Sequence, residues 1–235
     1  MTPALLLTRP RPEAERFLRA LPRPPDVLVS PLIEIVPVPV SLPGDVAGLI
    51  LTSANGVRAA AALDLPPGLP AWCVGQRTTA AATAAGFRAT YAGPDAEGLV
   101  RHLVAAKPQA PLLHLHGRHT RGEIAARLGA AGQQVETRIA YDQIARPLTD
   151  AARARLARPD PVVAPLFSPR TASLLAQEGP FAAPLTVAAL SPAVAEAAQA
   201  LSPRALLIAP RPDAASLAEL TTRALQQGNG WEPFA

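Results

Sequence analysis

The feature that most constrains the fold is an apolar strand that runs directly into a hydroxyl-rich turn and a helix. Residues 49–51 are continuously apolar, as expected for a strand of a parallel sheet that is covered on both faces. Side chains typical of turns and N-caps follow: Thr52, Ser53 and Asn55. Gly56 allows close approach of the backbone, and the Ala-rich residues 57–63 predict a helix. This stretch therefore predicts a β-strand–turn–α-helix unit.

Such a turn places hydroxyls and free backbone N–H groups at the carboxyl end of a strand, where open α/β sheets bind ligands. The start of a helix at this point favours an anion. A plain capped turn without a ligand explains the same residues, and both interpretations remain open on this stretch alone.

The same layout recurs later in the chain. Ser168 lies 115 positions after Ser53 in a similar strand–turn–helix context, and Ser191 lies 116 positions after Gly75. Asp213 follows Asp95 by 118 positions. A nearly constant offset indicates two similar halves. We therefore predict an α/β protein with two similar parallel-sheet lobes of the flavodoxin-like type.

Two extended segments interrupt the α/β rhythm. Residues 33–40 alternate and are β-branched, but Pro37 and Pro39 exclude a central strand. Residues 137–145 look like a matching segment. Because the two segments bracket about a hundred residues, the second lobe is predicted to be inserted in the first. The predicted divisions are residues 1–35 plus 146–235 for lobe 1, 41–136 for lobe 2, and 36–40 and 137–145 for two linker strands. The cleft between lobes is then the expected ligand site.

The remaining elements follow from apolar runs, helical periodicity and turn residues. Strands are predicted near residues 4–7, 27–30, 48–52, 71–74, 88–91, 112–115, 135–140, 162–167, 185–189 and 205–208. Helices are predicted near residues 13–21, 55–63, 77–85, 96–105, 121–131, 170–177, 192–200 and 214–227. Residues 8–12 are predicted to form a loop, and residues 228–235 a frayed tail.

Composition excludes several classes of protein. The 49% of hydrophobic residues and 17% of charged residues exclude a disordered chain. No basic run or aromatic platform points to nucleic acid, so we expect no nucleic-acid partner. The net charge of +4 favours an anionic ligand.

No apolar run reaches a membrane-spanning length, and the N-terminal run is too short for a signal peptide, so a soluble, cytoplasmic protein without a membrane partner is expected. Cys73, the single cysteine, is predicted to be a buried apolar residue.

The histidines at positions 114, 116 and 119 form the one histidine cluster. His114 and His116 share a strand face, which is compatible with metal ligation, but no nearby acid or cysteine completes a ligand set. We therefore favour an anion-binding turn with His116 and Arg118 as donors, and predict no metal.

The sequence contains no phosphate loop, no dinucleotide fingerprint and no nucleophile elbow. Arg9 follows a strand and could meet a carboxylate or phosphate there.

Taken together, these residues resemble the uroporphyrinogen-III synthase family. The resemblance rests on Leu7–Pro10, Ser30–Ile35, Leu51–Arg58, Cys73–Gly75 with Thr78, Gly117, Tyr141, and Ser168–Pro169. The run from Thr52 to Val57 is the most specific of these motifs. The resemblance implies two α/β lobes joined by a two-stranded linker.

The family's reaction, by the same resemblance, closes linear hydroxymethylbilane into uroporphyrinogen III. Water leaves, and the last pyrrole ring is inverted through a spiro intermediate. The resemblance implies no metal or organic cofactor. The implied partner is a small-molecule linear tetrapyrrole that carries eight carboxylates, and a monomer is expected.

The resemblance also implies roles for particular residues. Tyr141 is the implied proton donor to the leaving hydroxyl, although a tyrosine packed in the linker explains the residue equally well. The implied substrate-binding residues are Thr8, Arg9, Thr52, Ser53, Asn55, Gly56, Gly75, Thr78, His116, Gly117, Ser168, Pro169 and Ser191. This chain departs from the family pattern in having Ser191 and Val194 in place of the usual glycine and threonine, and His116 where arginine is frequent.

Two rival functions are compatible with the same architecture. A two-lobed binding module for an anionic small molecule would show the same hydroxyl turns without catalysing a reaction. A nucleotide or phospho-sugar enzyme of doubly wound type is the other rival, and the absence of a phosphate-loop fingerprint counts against it.

Overall fold

The computed structural model describes residues 2–22, 26–119 and 123–227. The predicted tail at 228–235 and the predicted start of a helix at 121 lie outside these ranges. The chain forms two compact units. Unit 1 contains Met1–Glu34 and Ile144–Ala235, and unit 2 contains Ile35–Gln143. Each unit is built around one β-sheet of its own.

The described elements alternate between strands and helices along most of the chain. The strands are β1 Ala4–Leu7, β2 Val27–Val29, β3 Ile33–Pro37, β4 Gly48–Leu51, β5 Pro70–Val74, β6 Arg88–Gly93, β7 Leu112–Gly117, β8 Val135–Ala145, β9 Val162–Leu166, β10 Leu185–Ala189 and β11 Ala205–Ile208. The helices are α1 Arg11–Leu18, α2 Ala54–Ala61, α3 Gln76–Ala84, α4 Ala96–Ala106, α5 Ile124–Ala130, α6 Asp150–Leu156, α7 Pro169–Gln177, α8 Pro192–Ala198 and α9 Ala214–Gln227. None of these helices has the length and apolarity needed to cross a bilayer.

Unit 1 holds a five-stranded sheet in the order β11-β10-β9-β1-β2, and all of its pairs are parallel. Read from its other edge, this is the 2-1-3-4-5 order of flavodoxin-like folds. Leu6 in β1 faces an apolar cluster with α6, α7 and α8, whereas Leu5 and Leu7 face a second cluster with α1 and α9. Helices therefore cover both faces, which explains why the strands are apolar throughout.

Unit 2 holds the strands β3-β8-β7-β4-β5-β6 in that order. The pairs from β8 to β6 are parallel. Leu49 and Leu51 pack with α2 and α3 on one face, and Ile50 packs with α4 and α5 on the other. The predicted α/β class with two parallel-sheet lobes is confirmed.

The two segments predicted as linkers are neighbouring strands. The Val38 N–H donates to the Ala140 carbonyl, and the Arg146 N–H donates to the Leu32 carbonyl. These two pairs fix an antiparallel register between β3 and β8. Pro37 closes β3 at the sheet edge, where its missing N–H leaves no ladder bond unmade.

The two sheets have the same strand order once the insertion is taken into account. Starting from β9, unit 1 runs β9, β10, β11, β1, β2, and these strands occupy the places of β4, β5, β6, β7 and β8 in unit 2. The recurring serines therefore follow equivalent central strands. The recurring aspartates cap equivalent helices, because Asp95 accepts from the Gly98 N–H at 2.8 Å and Asp213 accepts from the Ser216 N–H at 2.8 Å. The nearly constant spacing between the recurring motifs therefore arises because the two units have the same topology, circularly permuted.

Two element predictions were wrong. The prediction of a loop through Pro12 was wrong because α1 already begins at Arg11, with proline in its first turn, where the lost N–H costs nothing. The strand predicted at 135–140 and the linker strand predicted at 137–145 together form one continuous strand, β8. Helix α6 was missed because its seven residues bury only Ala152 and Leu156, too few to give a periodic pattern.

We expect the cap at Asp95 to contribute measurably to stability. Asp95→Ala leaves the Gly98 N–H without its partner at the start of α4, and should lower the free energy of unfolding by about 1 kcal/mol. Urea denaturation followed by circular dichroism measures this change. Arg101→Ala, an exposed position in the same helix, is the matched control and should change stability by less than about 0.5 kcal/mol. Equal effects of the two substitutions would contradict the assigned cap.

Candidate functional site

The hydroxyl turn after β4 begins helix α2. Ser53 is its N-cap residue, with extended backbone angles, and the Ser53 Oγ accepts a 3.2 Å hydrogen bond from the Gly56 N–H. A Cβ atom on Gly56 would lie 3.0 Å from the Leu115 carbonyl oxygen, so the glycine lets α2 lie directly against β7. The Asn55 side chain bonds to Arg58, one turn along the helix. Thr52 is half-buried at the end of β4.

Tyr141 lies beside this turn. Its hydroxyl is 2.9 Å from the Ser53 Oγ, and the residue is 7% exposed within the apolar cluster of α2 and α3. The ring lies across Gly117, where a Cβ atom would come within 2.6 Å of the tyrosine Cε2. The Arg118 N–H donates to the Tyr141 carbonyl at 3.0 Å. The Ser53 hydroxyl, the space beside Gly117 and the backbone bond from Arg118 therefore fix the position of the phenol.

A register shift in β8 explains how Tyr141 reaches this place. His116 pairs with Ile139, but Gly117 pairs with Tyr141, so Ala140 is an extra residue in β8. As a result Ala140 and Tyr141, although consecutive, both belong to the same apolar cluster. Regular strand alternation would have turned one of them to the other face.

Strand β7 carries two histidines, His114 and His116. Their ring centroids are 5.0 Å apart. His114 is 3% exposed, its Nε2 has no hydrogen-bond partner, and burial, together with the neighbouring His116, lowers its pKa to about 4. His114 is therefore neutral at pH 7. The His116 Nδ1 is 2.9 Å from the Gly117 carbonyl and must donate to it, because a carbonyl only accepts. Neutral His116 therefore offers only an acceptor at Nε2, and it must be protonated before it can donate to a carboxylate from that atom.

The cation that follows β7 is paired within the unit. The Arg118 Nε donates to the Asp142 carboxylate at 2.7 Å, and His119 lies 3.8 Å from the same carboxylate. The hydrogen bond from Arg118, followed by that from the Gln143 N–H, holds the pKa of Asp142 below its usual range. The predicted anion-binding turn therefore already contains an internal anion, which sequence reasoning missed. Arg118 and Asp142 are 24 positions apart, and no local pattern links them.

The turn after β5 is built on a left-handed glycine. Gly75 has a φ of 77°, and its N–H donates to the Gly93 carbonyl at 2.9 Å. Helix α3 starts at the next residue, and Thr78 is buried in its first turn. Burial raises the pKa of the Cys73 thiol to about 11, so this cysteine is protonated at neutral pH and is no nucleophile.

Unit 1 carries the equivalent residues after β1, β9 and β10. The Ser168 Oγ caps α7 by accepting from the Thr171 N–H at 3.1 Å, and Pro169 is the first helical residue. The Arg9 guanidinium lies over the Phe167 ring at 3.9 Å from the centroid. The neighbouring Thr8 is buried, and its Oγ1 has no hydrogen-bond partner. Ser191 begins α8 without a side-chain cap bond.

The structure thus distributes the predicted site residues over both units. Thr52, Ser53, Asn55, Gly56, Gly75, Thr78, His116, Gly117 and Tyr141 belong to unit 2, and Thr8, Arg9, Ser168, Pro169 and Ser191 belong to unit 1. Among the described residues, Ser53, Gly56, Gly117 and Tyr141 form one contacting group, and His116 joins it through its bond to the Gly117 carbonyl. Within the described ranges, no group of three or more histidine, cysteine, aspartate or glutamate residues is arranged to hold a metal ion.

Known families and structures resemble the chain over most of its length. A family model described as uroporphyrinogen-III synthase HemD matches residues 25–219. A uroporphyrinogen-III synthetase structure from Helicobacter pylori 26695 is 17% identical with a TM-score of 0.69, and the match covers 95% of this chain and 99% of that one. A mutant uroporphyrinogen III synthase from the extremely thermophilic bacterium Thermus thermophilus is 17% identical with a TM-score of 0.50, covering 96% and 99%. No curated protein matches the sequence closely enough to count as a relative.

His114 should make stability depend on pH. The unfolded chain binds a proton at this histidine near pH 6.5, whereas the folded chain does so only near pH 4. Between these values acid favours unfolding, so the free energy of unfolding falls as the pH drops, by up to about 3 kcal/mol. His114→Leu removes the titrating ring and should flatten this part of the profile. Urea denaturation from pH 4 to pH 7.5 measures the effect.

The comparison at pH 7.5 supplies the control, because the wild-type ring is neutral there in both states. The difference between the two proteins at that pH is the change in packing alone. Parallel profiles for wild type and His114→Leu at every pH would show that His114 does not titrate as described.

Proposed function

Because the chain belongs to the uroporphyrinogen-III synthase family, we propose that Tyr141 is the acid that protonates the departing hydroxyl of hydroxymethylbilane. The family's enzymes are hydro-lyases of porphyrin and heme biosynthesis. They close the linear tetrapyrrole into uroporphyrinogen III, with loss of water and inversion of the terminal ring. The family model spans parts of both units, which makes the whole chain one synthase.

The observation that carries the proposal is the fixed phenol. The Tyr141 hydroxyl is held 2.9 Å from Ser53, and Gly117 leaves room for the ring where any larger residue would collide with it. These contacts hold the phenol in one position, from which it can donate its proton. The apolar surroundings of Tyr141 also strengthen any hydrogen bond that the phenol makes.

The chemistry demands little acid–base work from the protein. An electron-rich pyrrole pushes out the hydroxyl, so one weak acid suffices to make it leave as water. The rest of the task is to hold the chain folded so that the new bond forms at the correct carbon, which is positional catalysis. A single phenol is enough for such a reaction. In the described part of the chain, no charged acid contacts the Tyr141 hydroxyl.

The substrate's carboxylates are proposed to bind at the turns that follow the strands. In unit 2 the donors are the hydroxyls of Thr52 and Thr78, the Asn55 amide, the backbone at Gly75 and protonated His116. In unit 1 they are Thr8, Arg9, Ser168, the turn at Pro169, and Ser191. The unpartnered, buried hydroxyl of Thr8 and the starts of helices α2, α3 and α7 support this assignment.

The remaining expectations rest on the sequence. We propose that the chain acts as a monomer in the cytoplasm, without a cofactor or nucleic acid. The net charge of +4 suits an octacarboxylate substrate.

The product isomer separates catalysis from mere binding. Purified protein incubated with fresh hydroxymethylbilane should yield the type III isomer, which chromatography distinguishes from the type I isomer of spontaneous closure. A heat-denatured sample is the control and should yield type I. Formation of type I alone with intact protein would favour the two-lobed binding module.

Tyr141→Phe should slow turnover while preserving the product. The substitution removes the proposed proton donor but keeps the ring against Gly117. General acid catalysis is worth about 10²–10⁴-fold, and we expect a loss at or below the lower end because this leaving group departs readily. The KM should hardly change, since the carboxylates bind elsewhere, and the product should remain type III. Turnover equal to wild type would leave Tyr141 as a packing residue, and a mostly type I product would assign it to positioning of the terminal ring.

A further inference from the structure

We propose that Ser53 is a positioning residue that acts through Tyr141: it donates its hydroxyl proton to the phenol oxygen and so leaves the phenol's own proton free for the substrate. This inference rests on the proposed role of Tyr141. It differs from the role expected from the sequence, in which Ser53 binds a substrate carboxylate.

The direction of the hydrogen bond follows from what Ser53 already accepts. Its Oγ takes the Gly56 N–H at 3.2 Å, so a backbone donor occupies one lone pair of that oxygen. An N–H donated to a hydroxyl makes its proton a better donor in turn. The one polar side-chain partner of that hydroxyl in the described structure is the Tyr141 oxygen at 2.9 Å. The favoured chain of donors therefore runs from Gly56 to Ser53 to Tyr141.

A hydrogen bond in the opposite direction, from Tyr141 to Ser53, would prevent the phenol from acting as an acid. If Tyr141 donated to Ser53, its proton would be engaged and the phenol would offer the leaving group only lone pairs. When Ser53 donates, Tyr141 gives its proton to the departing hydroxyl as the carbon–oxygen bond breaks and water forms. The phenolate oxygen left behind keeps the Ser53 hydrogen bond, which now has a charged acceptor and is stronger. The carbon that forms the closing bond loses its own proton, which returns the phenol to its starting state.

The positions of both Ser53 and Tyr141 are constrained by their neighbours. Ser53 cannot turn away without leaving the N–H of Gly56 unbonded at the start of α2. Tyr141 is held against Gly117, and the extra residue in β8 aims it at α2. The equivalent serine in unit 1, Ser168, has the same cap bond, but its hydroxyl meets that of Thr171 at 2.9 Å. The phenol is therefore specific to unit 2.

A vibrational experiment tests the direction without substrate. Tyr91 and Tyr141 are the two tyrosines of the chain, and Tyr91 is exposed, so Tyr91→Phe leaves Tyr141 as the single phenol. The intensity ratio of the tyrosine Fermi doublet in the Raman spectrum distinguishes a phenol that accepts from one that donates. In Tyr91→Phe we expect the ratio of an accepting phenol. Adding Ser53→Ala should move that ratio away from the value of an accepting phenol, and adding Ser53→Thr should preserve it. A donor-type ratio in Tyr91→Phe would overturn the proposal.

A double-mutant cycle tests whether Ser53 acts through the phenol during turnover. Ser53→Ala should lower kcat about tenfold with little change in KM, because the lost hydrogen bond supports the phenolate. Ser53→Thr should restore kcat to within about threefold. In the Tyr141→Phe background, Ser53→Ala should change kcat less than about twofold. Equal losses in both backgrounds, or a change confined to KM, would overturn the proposal in favour of a direct contact with substrate.

The melting temperature of Ser53→Ala and the behaviour of Gly117→Ala separate loss of the helix cap from loss of the hydrogen bond. Ser53→Ala also removes a helix cap, so the melting temperature should fall in both backgrounds, and further where Tyr141 loses its partner. By contrast, kcat should fall only where Tyr141 is present. Gly117→Ala keeps both hydroxyls but displaces the ring, and should lower kcat and move the Raman ratio away from the value of an accepting phenol. If Tyr141→Phe turns over like wild type while the Raman ratio still responds to Ser53→Ala, the donor role of Tyr141 fails and the hydrogen-bond assignment stands.

Discussion

The contact between Ser53 and Tyr141 in unit 2 depends on two parallel strands, β4 and β7, that end side by side. Leu51 near the end of β4 pairs with Leu115 of β7, so the turns that follow both strands lie at one edge of the sheet. The glycine at position 56 lets α2 begin in contact with the Leu115 carbonyl. The cap at Ser53 and the ring at Gly117 are thereby brought within hydrogen-bonding distance. Without this close packing of helix on strand, the serine and the tyrosine would not meet.

Most of the fold could be predicted because local chemistry determines it. Continuous apolar runs identify the covered strands, and Ser53, Asp95 and Ser168 mark helix starts through the same cap bond that the structure shows. The elements that were misjudged are those with weak local patterns, such as α6 with its two buried residues. Proline in the first turn of α1 was taken for a loop, although proline is compatible with that position.

The contacts within the site could not be predicted in the same way. Ser53 and Tyr141 are 88 positions apart, and only the packing of β8 beside β7 brings them together. The extra residue at Ala140 breaks the alternation on which strand predictions rely. Nor does the sequence reveal that Arg118 is held by Asp142, because a cation in a turn looks the same whether its partner is a ligand or a carboxylate of the chain.

The permuted repeat shows how one topology acquired two different local chemistries. The place of β8 in unit 1 is taken by β2, a three-residue strand that ends before Ser30. The buried Ser30 hydroxyl accepts from the Thr149 N–H at 2.9 Å, and so anchors the start of α6. In unit 2 the longer β8 instead carries a phenol to the capped serine. Both units keep helix starts that favour anions, and in the described structure the longer β8 alone brings a phenol to a capped serine. This difference supports the proposal that carboxylates bind at the turns of both units while Tyr141 supplies the acid. The unequal division that we propose, with several anion sites and one acid, suits an octacarboxylate whose leaving group needs only a weak acid.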